Sequence, residues 1–152
     1  MSAVDSGGKG PVFFDSNIVV YALSASSSAE DAQKKATARR IILEAAAKRR
    51  AVISAQVLGE SFVTLVKKGI PPLLPSEAAN ALRGIARQKV VPLTVDLVFR
   101  ALDIQQEFQL SYWDALIIAA AESAGCATVW SEDLSDGQKY GDVTVRNPFA
   151  GG

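Results

Sequence analysis

A chain of 152 residues, 49% hydrophobic and 21% charged, has the length of one domain and the composition of a globule with its own core. At this size it needs no disulfide or structural metal to fold, and its lone Cys126 can form no internal disulfide. Sixteen Lys/Arg balance sixteen Asp/Glu and there is no histidine, which excludes Ser-His-Asp and Cys-His nucleophiles, imidazole acid–base catalysis and histidine-ligated zinc or iron.

Residues 1–10 are small, polar and Gly-rich and read as a flexible leader, residues 11–149 as a single domain and residues 150–152 as a tail. Val12-Phe13-Phe14 predicts a short buried strand, ending at Asp15-Ser16-Asn17 and followed by a short helix through Leu23. An alanine-rich amphipathic helix follows over about 29–48, with Ala38, Ile41, Ile42 and Ala45 inward. Residues 51–54 predict a second strand, and 56–68 a helix with Val57, Phe62, Val63 and Val66 inward, stopped by Gly69 and Pro71. Ser76, after Pro75, is placed to cap a helix over 76–88. Residues 90–93 read as a strand that Pro92 keeps from the middle of a sheet.

Thr94 caps a helix through Phe108, and Ser111 caps another through the apolar run 115–121 to Ser123, closed by Gly125. Residues 127–130 form a strand ending at Ser131-Glu132-Asp133, and 143–145 a last edge strand. Short apolar strands alternating with helices describe an α/β fold whose parallel sheet is covered by helices on both faces. The apolar run 115–121 is too short to span a bilayer and the leader has no apolar core, so the cytoplasm is the expected location.

Charge is unevenly spread. Residues 1–75 carry ten bases against six acids, and residues 76–152 six against ten. The basic half is clustered at Lys34, Lys35, Arg39, Arg40, then at 48–50, then at Lys67 and Lys68, either as solvated helix faces or as phosphate-binding groups.

Asp15, Asp114 and Asp133 stand beside strongly apolar segments, and Glu60 lies on the helix after the second strand. Each has a local explanation: Asp15 as a helix cap, Asp133 in an Asx-turn, Asp114 in a capping box with Ser111, Glu60 as a surface glutamate. Together, at the carboxyl ends of parallel strands where ligands collect, four acids without histidine match an oxygen-liganded Mg²⁺ or Mn²⁺ site. Ser16, Asn17 and Ser131 can orient those carboxylates or serve as turn and cap donors. Trp113 and Trp130, beside apolar runs, are expected in the core rather than stacked on bases, and Cys126 is a small buried hydrophobe.

Asp15-Ser16-Asn17 with Tyr21, Gln56-Val57-Leu58-Gly59-Glu60, Tyr112-Trp113-Asp114-Ala115-Leu116-Ile117 and Ser131-Glu132-Asp133-Leu134 resemble, in order and spacing, the four signature blocks of PIN-domain ribonucleases, in particular VapC-like toxins. The resemblance covers residues 12–149. It implies a three-layer α/β/α sandwich with a short central parallel sheet. It also implies Asp15, Glu60, Asp114 and Asp133 as catalytic and metal-binding quartet, Mg²⁺ or Mn²⁺ as cofactor, hydrolysis of RNA, and a small antitoxin as partner. Apolar helices with a face left to cover, together with the resemblance, suggest a homodimer.

Lys34, Lys35, Arg39 and Arg40, on the helix after the Asp15 segment, are the expected RNA contacts, while Arg49 and Arg50 sit at the amino end of the next strand and point away. Two other classes stay open: a PIN-like module that binds RNA or a partner without cutting, and a phosphoaspartyl phosphatase or receiver. The last lacks a second aspartate two residues beyond Asp15, where Asn17 stands, and Lys139 is a poor match for a receiver lysine.

Overall fold

Polar caps cut the apolar segments into short elements. In the computed structural model, which describes residues 10–25, 28–69 and 71–150, these are β1 (Val12–Phe14), α1 (Ser16–Leu23), α2 (Ala29–Ala47), β2 (Ala51–Ser54), α3 (Ala55–Lys67), α4 (Pro75–Ile85), β3 (Lys89–Val91), α5 (Val95–Phe108), α6 (Tyr112–Ser123), β4 (Thr128–Trp130), β5 (Lys139–Tyr140) and β6 (Val143–Arg146). Residues 1–9 of the expected leader and 151–152 of the expected tail lie outside the described residues. Ser28, Ser54, Thr94 and Ser111 each accept from the backbone N–H three residues on, fixing where α2, α3, α5 and α6 start.

The sheet runs β3-β2-β1-β4-β6-β5, all parallel except the β5–β6 pair. Gly141, with φ 63°, supplies the positive φ that the two-residue connection between these antiparallel strands requires. α5 packs on α6, which lies against β2, β4 and β6; α1 packs with α2 and α3, and α3 with α4, forming the other helical layer. Strands buried along their whole length, as β1, β2 and β4 are, need cover on both faces, and this explains their unbroken apolar runs. No helix among the described residues is long and apolar enough to cross a membrane.

Four local expectations are corrected. Ser76 does not cap α4: Leu74 is the N-cap, Pro75 opens the helix, where its missing N–H is harmless, and Glu77 accepts from the Leu74 N–H at 2.9 Å. α3 turns Val57, Ser61 and Leu65 inward, whereas Val63 is 46% exposed, so its buried stripe follows a four-residue step through a serine. β6 is not an edge strand, because β5 pairs outside it. Trp113 is not in the core: it is 61% exposed on the first turn of α6, while Trp130 and Cys126 are buried as expected.

Gly69 has a steric reason for stopping α3, since a Cβ there would sit 2.6 Å from the Leu65 carbonyl oxygen. α6 closes in a Schellman motif on Gly125 at φ 73°, with Cys126 N–H donating to Ala121 O at 2.9 Å.

Candidate functional site

β1 and β4 are adjacent and parallel, so the turns after them meet at one end of the sheet. Asp15 is the N-cap of α1, its Oδ1 accepting from Ser16 N–H at 2.7 Å, and it is only 6% exposed. Its Oδ2 accepts from Ser131 Oγ at 2.8 Å and from Asn17 Nδ2 at 3.3 Å. Burial pushes its carboxyl up to about 6 from 3.8, against the pull of the Ser131 and Ser16 bonds; the Glu60 and Asp133 charges push it further. Asp15, Glu60 and Asp133 therefore share one electrostatic neighbourhood although they come from the turns after β1 and β4 and from α3.

Asn17 holds this neighbourhood together. Its Oδ1 accepts from Glu132 N–H at 2.9 Å, which turns its amide NH₂ toward Asp15 Oδ2, Ser131 Oγ (3.3 Å) and Asp133 Oδ2 (3.1 Å). One neutral amide thus bridges two carboxylates. Ser131, fully buried, also accepts from the Asp133 and Leu134 N–H groups at 3.2 and 3.3 Å. Ser16 contributes its backbone N–H to Asp15.

Asp114 is tied in by another route. Its N–H donates to Ser111 Oγ at 3.1 Å on the first turn of α6. Gln56 Nε2 donates to the neighbouring Trp113 carbonyl at 3.1 Å and to Glu60 Oε2 at 3.4 Å, linking α3 to α6. Gln56 Oε1 is buried with no hydrogen-bond partner among the described residues. Burial and, second, the Asp114 charge raise the Tyr140 phenol above its ordinary range, whereas Asp114 is not among the charges that act on Asp15.

The donor set suits a hard divalent cation: four carboxylates with hydroxyl and amide neighbours, and neither nitrogen nor sulfur ligands. Among the described residues, no three acids lie close enough together to form a group that could hold a metal ion.

Beside the acids lies a second network. Glu132 accepts from Tyr21 OH at 2.9 Å and from Lys34 Nζ at 2.6 Å, and Lys34 also lies 5.2 and 5.4 Å from the Tyr21 and Phe149 ring centroids. The Glu132 hydrogen bond holds Lys34 above the ordinary lysine range. Lys35 Nζ donates to Ser24 O at 2.5 Å and Arg39 Nε to Ala22 O at 2.8 Å, satisfying carbonyls at the end of α1. Arg40 pairs with Glu44 at 3.7 Å along α2. Three of the four expected RNA contacts thus bind α1 or the Glu132 turn.

Sequence reasoning assigned no role to Gln56, Tyr21 or Glu132. The Tyr21–Glu132 and Lys34–Glu132 contacts span 111 and 98 residues and leave no local signal, whereas the four-residue step from Gln56 to Glu60 on one helix face was readable.

The structure resembles that of the Mycobacterium tuberculosis toxin VapC20, described as cleaving the sarcin-ricin loop, with TM-score 0.60 and 23% identity over 80% of this chain and 91% of that one. It also resembles a Klebsiella pneumoniae toxin–antitoxin complex (TM-score 0.66, 20% identity, 91% and 98% covered) and DNA-bound VapBC from Salmonella typhimurium (0.66, 17%, 91% and 98%). Comparison with curated proteins gives no match. The PIN domain family model matches residues 12–135, from the first strand through the Asp133 turn, and the chain belongs to the PIN domain family.

Proposed function

We propose that the chain is a metal-dependent endoribonuclease, the toxin of a toxin–antitoxin pair acting in the cytoplasm, with its nuclease domain over residues 11–149. The observation that carries this reading is the buried Asp15 carboxylate, loaded by the charges of Glu60 and Asp133 at the carboxyl end of a parallel sheet. We assign Asp15 and Asp114 as primary ligands of Mg²⁺ or Mn²⁺, with Glu60 and Asp133 acting directly or through water. Bound there, the ion would stabilise charge on the scissile phosphate and acidify the attacking water.

The chain's own residues supply geometry. Ser131 and the Ser16 N–H hold both oxygens of Asp15, and Asn17 fixes Asp133 relative to it. Gln56 couples Glu60 to the turn that carries Asp114. Trp113, exposed next to Asp114, offers a face on which a base can stack. Lys34, Lys35, Arg39 and Arg40 flank the crevice as phosphate contacts in this reading, the first three in competition with their internal bonds.

Two of the structural relatives are described as assembled with antitoxin or as VapBC, which supports a small antitoxin as partner. The exposed Val95, Phe99 and Leu102 on α5 support a homodimer.

The test is cleavage of single-stranded RNA with added Mn²⁺, by the parent and by Asp15→Asn. Cleavage by the parent that Asp15→Asn abolishes is expected. RNA binding without cleavage by the parent would establish the non-cleaving module instead.

A further inference from the structure

At the opposite end of the sheet from the acids, the α2–β2 and α4–β3 connections lie side by side, because β2 and β3 pair in parallel with Val52 opposite Lys89. Between them is a cleft of ≈ 730 Å³ into which Lys48, Arg49, Arg50, Arg87 and Lys89 converge with Gln88, and among the described residues no acid lines it. Five of the sixteen cations of a neutral protein meet in one concavity. Among the described residues, Lys48, Arg49, Arg87 and Lys89 form no ion pair with a carboxylate, unlike Lys34, Arg40 and Arg100 elsewhere. The carboxyl end of α2 favours cations nearby, which accounts for a base or two at its own terminus but not for Arg87 and Lys89 from another connection.

Backbone conformation singles out Arg49. α2 closes in the same Schellman motif as α6, with Arg50 N–H donating to Ala45 O at 2.8 Å and Arg49 N–H to Ala46 O at 3.0 Å. Where α6 uses Gly125, α2 places Arg49 at φ 56°, a conformation in which a side chain is strained. A guanidinium is thus held at the rim of the cleft at a position where glycine would be conformationally easier.

We propose that this cleft is a second RNA-binding site, which holds the phosphate backbone of the substrate away from the cleavage crevice. A strip of cations that, among the described residues, has neither acids nor an exposed aromatic suits a repeating polyanion read without regard to sequence. Because the strands between the two sites are only three or four residues long, a folded RNA can touch both ends of the sheet at once. The choice of RNA as ligand rests on the ribonuclease reading; the anion-binding chemistry does not.

The experiment measures binding of a fluorescein-labelled 20-nucleotide RNA by anisotropy across a salt series, in EDTA so that nothing is cleaved. The full chain is compared with Lys48→Gln/Arg49→Gly/Arg87→Gln/Lys89→Gln. The parent is expected to bind with a steep salt dependence, and the variant to lose affinity with a log–log slope lower by up to about 2.8, at about 0.7 per lost phosphate contact. Arg49→Gly alone, which relieves strain and keeps the fold, should lower the slope by about 0.7. An unchanged slope in either variant, no binding by the parent, or binding of inorganic phosphate or of phosphatidylserine vesicles but not RNA would overturn the proposal. Failure of the nuclease reading shows up separately, as absent Mn²⁺-supported cleavage while the EDTA binding series keeps its slope difference.

Discussion

Ser131 Oγ donates to Asp15 Oδ2 at 2.8 Å, joining the turn after β4 to the end of β1 across 116 residues of chain. The bond opposes burial in setting the acidity of Asp15. Ser131→Ala should therefore raise the Asp15 midpoint above about 6 and cost about 1–3 kcal/mol of stability while the carboxylate is charged. Carbon-13 NMR titration of the Asp15 carboxyl reads the midpoint. A midpoint that stays put would show that Ser131 serves only its turn.

The raised Asp15 pKa, about 6 against 3.8, fixes the sign of a stability profile. Between these values the folded chain holds a proton that the unfolded chain has lost, so metal-free protein gains stability as pH falls from about 7 toward 4. Asp15→Asn should accordingly be more stable than the parent at pH 8, by on the order of 1–3 kcal/mol, with the difference shrinking by pH 4. Urea unfolding in EDTA at the two pH values checks this, and a parent more stable than the variant at pH 8 would contradict it.

Trp113 is exposed and Trp130 buried, so one tryptophan reports on the crevice and the other on the core. Trp113→Ala should change stability by no more than about 0.5 kcal/mol but weaken RNA binding by about 1–3 kcal/mol if one base stacks there. In the parent, RNA should quench the red-shifted part of the emission and leave the blue-shifted part alone. Equal RNA affinity in the variant would remove Trp113 from the interface.

Lys35 and Arg39 close the carbonyl end of α1 rather than projecting freely from α2. Replacing either with methionine should lower stability by about 0.5–1.5 kcal/mol, an effect read as an earlier thermal midpoint. If the double variant melts with the parent, both side chains are free to serve as phosphate contacts.

Element order was legible because caps and apolar runs are local signals: Thr94 and Ser111 start their helices as their residue type suggests, and β1, β2 and β4 read as unbroken apolar runs. The α4 start was misread because proline at the first helical position outweighed the serine after it. Trp113 was misread because the apolar run that follows it belongs to the buried side of α6 while its own position faces out. Within the candidate site, the acids could be picked out by type and placement. Asn17 could be named as an orienting residue from its place beside Asp15, but its bond to Asp133 across 116 residues and the role of Glu132, whose contacts span 98 and 111, have no spacing that encodes them.

Both margins of the sheet are short. β3 has three residues and is followed by Pro92, and β5 has two. Neither offers the run of unpaired amides that an added strand needs to extend a sheet. A protein partner therefore gains little by adding a strand at either described margin, and the same brevity gives these margins little template for fibrillar stacking when the chain is overproduced.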